Sequence, residues 1–119
     1  MPSVARPQPV AVVGVGVKTP AGLTTDELWD SLCAGRSTAQ PYLDERLPPQ
    51  ARVLVSRVDR FEPGAYLTLI ERRRLDRSHQ LGIGAAQDAI DACGPARPPG
   101  DRCAVVCGVG LGAAAFQEE

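Results

Sequence analysis

The run VAVVGVGV at 10–17 is apolar at almost every position and rich in β-branched residues. Continuity without alternation predicts a strand covered on both faces, as in a parallel or mixed sheet lying between helices. KTPAG at 18–22 breaks that run, and the period then changes. Over LTTDELWDSLCAGRS (23–37), Leu28, Trp29, Leu32 and Cys33 form an apolar stripe at helical spacing. Thr24 and Glu27 have the spacing of a capping box, and Leu23 and Leu28 that of a hydrophobic staple. Asp26, Glu27 and Asp30 suit the positive end of the helix dipole. Gly35 is placed to end the helix in the left-handed conformation. The spacing predicts a helix over 25–34. The polar, proline-marked stretch 37–50 reads as a loop and ARVLVSRV (51–58) as a second strand. Pro63 and Gly64 read as a turn, with a short helical turn over 66–70.

The longest pattern is RRRLDRSHQLGIGAAQDAIDACG (72–94), where Leu75, His79, Ile83, Ala86, Ile90 and Cys93 recur near every 3.6 residues. One long helix is predicted, stopped by Gly94 and Pro95. Gly82 and Gly84 each cost about 1 kcal/mol relative to alanine in a helix. Their presence beside Ala85 and Ala86 predicts close approach by another backbone, which makes His79, Gly82, Ile83 and Gly84 the candidate partner-facing residues. CAVVC (103–107) closes the series as a third strand, followed by a glycine-rich turn at 108–112. The order strand, helix, strand, helix, strand is an α/β arrangement. Residues 1–9, with three prolines, read as a flexible arm, and 10–119 as a single partial domain.

Composition narrows the function classes. The chain has 119 residues, 44% apolar and 23% charged, which is ordinary for a globular domain. A net charge of −1 and an aromatic content of 4% argue against electrostatic or stacking recognition of nucleic acid. No apolar run reaches the roughly 18 residues of a membrane span, and the start lacks the apolar region of a signal peptide. A cytoplasmic location is expected.

Four cysteines raise the question of disulfides or a metal. Cys103 and Cys107, four apart on a strand, would stand roughly 13 Å apart, too far for a disulfide. All four read as structural thiols, with no metal expected. The glycines of both predicted strand ends, Gly14 with Gly16 and Gly110 with Gly112, begin a dinucleotide fingerprint. The first has Thr19 at the third glycine position, and the second is followed by only seven residues, too few for the helix, strand and acidic residue that the fingerprint requires, so no nucleotide or other cofactor is expected. His79, the sole histidine, lies on the apolar face of the long helix and reads as a packed residue. Arg72, Arg73 and Arg74 stand where cations oppose a helix dipole, which points to an anionic partner.

Four segments, in order and spacing, resemble the β-ketoacyl-acyl carrier protein synthases of fatty acid and type II polyketide synthesis. These are VAVVGVGVKTPAGLTTDELWDSLCAGRS, FEPGAY, RRRLDRSHQLGIGAAQDAIDACG and RCAVVCGVGLG. The third resembles the family's R-x-x-D-R-x-x-Q helix. The resemblance implies the opening part of the first half of a thiolase-like fold. It also implies decarboxylative Claisen condensation, carried out by a cysteine and two histidines that would lie downstream of Glu119. None of the four cysteines, nor His79, matches those positions, so no catalytic residue is expected here. Arg73 and Arg74, with Arg72 beside them, match positions that help dock the acidic acyl carrier protein.

Three readings follow. The first is a non-catalytic, truncated ketosynthase-like subunit that assembles with ketosynthase or chain-length-factor chains, with the acyl carrier protein as a further partner. The second is an N-terminal fragment of a complete condensing enzyme. The third is a small stand-alone α/β binding module, supported only by its glycine-rich ends.

Overall fold

The computed structural model describes residues 9–42, 48, 52–97 and 99–110. The arm at 1–8 and the end of the turn, 111–112, therefore lie outside the described residues. The elements are α1 (Thr25–Cys33), β1 (Gln40–Tyr42), β2 (Val53–Val55), α2 (Leu69–Arg74) and α3 (Arg77–Ala92), with short 3-10 turns at Pro63–Ala65, Gly94–Ala96 and Gly100–Arg102. Helices and sheet are both present, as the α/β reading expects.

α1 forms as its end signals dictate. Thr24 Oγ1 accepts from Glu27 N at 3.2 Å, while the Glu27 carboxylate accepts from Leu23 N at 2.8 Å, one residue earlier than a capping box. At the other end Gly35 adopts φ 61°. Its N–H donates to Leu32 O and that of Arg36 to Ser31 O, the paired bonds of a Schellman close.

The sheet differs from expectation. β1 pairs antiparallel with β2, Gln40 opposite Val55 and Tyr42 opposite Val53. β1 falls in the stretch that the sequence marks as loop: three residues, one of them proline, carry too little pattern to register as a strand. Thr38 and Ser56 extend the pairing through a hydroxyl–hydroxyl bond of 3.0 Å.

The predicted strands at 10–17 and 103–107 are not strands here: neither has a ladder partner among the described residues. A strand needs a neighbour as well as a pattern. The end of the 10–17 segment, at Gly14 and Gly16, instead lies against α3, running antiparallel to it. A Cβ on Gly14 would sit 2.2 Å from Ala89 O, and one on Gly16 would sit 2.0 Å from Ala85 O. The close backbone approach expected of α3 thus exists, but at Ala85 and Ala89. A Cβ on Gly82 would meet nothing within 4 Å.

The single helix predicted over 72–94 is two helices. Leu75 is extended, at φ −102° and ψ 133°, and Asp76 caps α3 by accepting from Ser78 N. Asp76 prefers this cap because its short side chain reaches the free N–H groups of a helix start. The joint is closed by Gln80, whose amide donates to Arg72 O at 3.0 Å and Leu75 O at 2.8 Å. Those carbonyls would otherwise be unmatched at the end of α2.

Among the described residues only Phe61 and Leu67 are buried hydrophobic side chains, while Ser31 and Gln80 are buried polar ones. Much of the apolar stripes predicted for the helices faces outward. Trp29 and Leu32 on α1 are 67% and 62% exposed, and Ile83 and Ile90 on α3 are 38% and 37% exposed. His79 and Ala86 are exposed as well, so His79 is not a core residue. Periodicity marks which face is apolar, not what covers it.

Candidate functional site

The tightest cluster centres on Lys18. Its side chain is only 4% exposed. The ammonium donates to the Asp88 carboxylate and, at 3.0 Å, to Leu23 O. It also lies 5.0 Å from the Tyr66 ring centroid. Tyr66 O–H donates to the other Asp88 oxygen at 2.9 Å, and its ring stacks on Phe61 at 5.6 Å. Phe61 in turn rests on Gly84, where a Cβ would be 2.8 Å from the ring.

Arg77 covers the ring of Phe61 at 5.1 Å and donates to Val58 O and Phe61 O. Asp76, Arg77 and Gln80 of the D-R-x-x-Q segment are thus joinery: a helix cap, a tie to the preceding loop and a clasp on α2.

For Lys18, burial pulls the pKa down, but the bonds and charges of Asp88 and Tyr66 outweigh it and hold the ammonium above its ordinary value. For Asp88, burial pushes up, while the bonds from Lys18 and Tyr66 and the lysine charge bring it below the usual carboxylate range. The pair is therefore ionised across neutral pH. An ammonium locked to a carboxylate is neither a free nucleophile nor a free base, so the cluster is structural. No sequence motif announces this role for Lys18. The available signal is a cation directly after an apolar run, with an aspartate among the small residues of a later helix.

Arg72, Arg73 and Arg74 occupy the last turn of α2, not the start of a long helix. Cations there complement the dipole, so the unfavourable position expected of them does not exist. Arg73 and Arg74 are exposed, whereas Arg72 is half-buried. Its Nε is buried without a hydrogen-bond partner, and one terminal nitrogen would lie 3.5 Å from a Cβ at Gly64. The candidate partner-facing residues also separate. His79, Gly82 and Ile83 are on the exposed side of α3, while Gly84 is buried under Phe61.

None of the four cysteines is in a disulfide, and Cys33, Cys103 and Cys107 are exposed, contrary to the expectation of packed thiols. Half-buried Cys93 donates to Ala89 O at 3.2 Å. Among the described residues no group of three His, Cys, Asp or Glu could hold a metal ion. No described helix is long and apolar enough to cross a membrane. A depression of about 370 Å³ lies between α1 and the β1–β2 hairpin, with Ser31, Arg36, Tyr42, Arg57 and Asp59 on its walls. Arg36 bonds Ser31 Oγ and Arg57 pairs with Asp59, so its cations are engaged within the molecule.

Comparison with known proteins agrees with the motifs. The chain is 32% identical over 107 residues to the tetracenomycin polyketide synthase ketoacyl synthase alpha subunit of Streptomyces glaucescens, covering 87% of this chain and 25% of that protein. It is 32% identical over 82 residues to 3-oxoacyl-acyl-carrier-protein synthase 2 of Synechocystis, covering 69% of this chain and 20% of the relative. It is 29% identical over 126 aligned positions to a phenolphthiocerol/phthiocerol polyketide synthase of Mycobacterium tuberculosis, covering 89% of this chain and 6% of that protein. The chain therefore spans about a quarter or less of the length of these relatives. The family pattern described as the N-terminal domain of β-ketoacyl synthase matches residues 7–119. This chain belongs to the β-ketoacyl synthase family, through that N-terminal domain.

Proposed function

We propose that this chain is a non-catalytic, ketosynthase-like subunit that assembles with a ketosynthase or chain-length-factor chain in type II polyketide or fatty acid synthesis. The partner then performs the decarboxylative Claisen condensation. The observation that carries this reading is a set of well-capped elements whose apolar faces point outward. Val10, Val12, Val105 and Val106 are 94%, 81%, 89% and 93% exposed. Large apolar side chains exposed to that degree call for a covering partner. The sequence holds one histidine, and the two-histidine set that the resemblance implies is assigned to the partner. His79, Gly82 and Ile83, continued by Ala86 and Ile90, form the proposed partner face on α3. Arg73 and Arg74 form the proposed docking point for an acidic carrier protein.

Co-expression with ketosynthase and chain-length-factor chains, followed by purification through a tag on this chain, tests the proposal. A stoichiometric complex supports it. A stable, monodisperse monomer that takes up neither chain overturns it. The share of the relatives' length that the chain spans favours a second reading, the opening portion of a complete synthase. Coding sequence past Glu119 that contains a cysteine followed by two histidines would establish that reading.

A further inference from the structure

The two arginines on the depression between α1 and the β1–β2 hairpin are engaged in different ways. Arg57 Nε meets the Asp59 carboxylate at 3.3 Å, charge against charge. Arg36, among the described residues, meets neutral oxygen. One of its terminal nitrogens donates to Ser31 Oγ at 3.1 Å, and its backbone N–H donates to Ser31 O at 3.1 Å. Ser31 is itself buried, and its hydroxyl donates to Ala21 O at 2.6 Å. The Arg36 guanidinium is thus held beside a fixed serine on the wall, and among the described residues no carboxylate pairs with it. The C-terminal dipole of α1 offsets only a fraction of a unit charge. Over the described lining, two arginines stand against one aspartate.

The rest of the lining is mostly polar. Ser37 Oγ accepts from Ala39 N at 3.3 Å, and its own proton has no acceptor among the described residues. Gln40, at the start of β1, also lines the depression. The volume of about 370 Å³ falls in the range of small-molecule pockets. Walls of this kind offer an acyl chain little apolar cover.

We propose that this depression binds a hydrophilic small molecule through one oxyanion, a carboxylate or a phosphate. Arg36 receives the anion, and Ser37 and Gln40 hydrogen-bond beside it. The guanidinium fork can keep one N–H on Ser31 while others take the anion. Prior anchoring by Ser31 removes part of the ordering cost that a loose arginine incurs on binding. The unmatched charge sets the sign of the ligand, and the polar walls set its character. The lining includes no residue of the valine segments, α2 or α3, so the site stands apart from the assembly proposed above.

Isothermal calorimetry of the full chain, with its synthase partner where one co-purifies, tests the site with inorganic phosphate, glucose 6-phosphate, gluconate, neutral glucose and hexanoate. Glucose 6-phosphate or gluconate is expected to bind at least about tenfold more tightly than glucose and hexanoate, and the tighter of the two identifies the oxyanion. Arg36→Gln is expected to weaken that binding about tenfold or more, since charge-assisted bonds are lost. Arg97→Gln removes the same charge from an exposed position outside the depression. It is expected to stay within about twofold of wild type. Ser37→Ala with Gln40→Ala leaves every charge in place, and is expected to bind about fivefold more weakly with the salt dependence kept. Circular dichroism verifies the fold of each variant.

No binding by any of the three anions overturns the site. Glucose or hexanoate binding as tightly as the anions overturns it as well, as does wild-type affinity in a folded Arg36→Gln variant or an equal loss in Arg97→Gln. If Arg36→Gln does not fold, wild-type affinity in the Ser37/Gln40 variant overturns it instead.

Discussion

At the residue scale, two glycines of similar appearance in the sequence have opposite roles. Gly16 has no room for a side chain: a Cβ there would meet Ala85 O at 2.0 Å and Ala89 N at 2.7 Å. Gly16→Ala should cost about 2–3 kcal/mol by forcing 10–17 off α3. Gly82→Ala, in open space, should gain up to about 1 kcal/mol of helix propensity. Urea unfolding of the two variants checks both signs. Lys18→Met should cost about 3 kcal/mol, because it strands the Asp88 carboxylate in a partly buried site, again read by urea unfolding. The same pair sets a pH window. Asp88 has a lowered folded pKa, so its contribution is present above the unfolded value of about 3.9 and is lost as pH falls through the folded one. Lys18 has a raised folded pKa, so its contribution is full below about 10.4 and is lost as pH rises through the folded value. Stability measured against pH should therefore fall at both ends, and Asp88→Asn should flatten both limbs.

At the scale of elements, local signals predict local structure. α1 is legible because Thr24, the acidic first turn and Gly35 act within one or two turns of the chain. The division between α2 and α3 is hidden because the apolar period runs unbroken through Leu75 and Asp76. Its signals are two successive helix starts: Thr68 with Glu71, and Asp76 with Ser78. Bonds from Thr68 lower the Glu71 carboxyl, and bonds from Ser78 lower that of Asp76, which keeps both charged at the starts of their helices. Thr68→Ala removes one side of the capping box and should cost about 1 kcal/mol. The loss should fall mainly on α2, visible as faster amide exchange at Arg72–Leu75 with α3 unchanged. The Lys18 cluster is not legible, because joining a turn, a loop tyrosine and a helix aspartate is a tertiary event with no local pattern.

At the scale of the whole molecule, the apolar pattern is legible while its destination is not. α1 and α3 turn small or polar side chains inward, Ser31 on one and Gly84, Gln80 and Asp88 on the other. Trp29, Leu32, Ile83 and Ile90 remain outside. The valine segments behave alike, having strand composition without a strand neighbour. Composition cannot distinguish a face that meets the chain's own core from one that meets another chain. Hydrogen exchange should reveal the difference: in the chain alone, amides at 10–17 and 103–110 should exchange far faster than those in the middle of α3. On assembly with a ketosynthase or chain-length-factor partner, the valine segments should become the most newly protected.

The bond between Lys18 and Asp88 joins positions 70 apart in sequence. On a ribosome adding about 5–20 residues per second, roughly 4–14 s separate the emergence of the two. During that interval the α3 surface that Gly14 and Gly16 lie against has not been made, while the valines around them are already outside the exit tunnel. The segment that later lies along α3 is therefore the part of the nascent chain most in need of a holdase, and truncation before Asp88 should leave it bound to one.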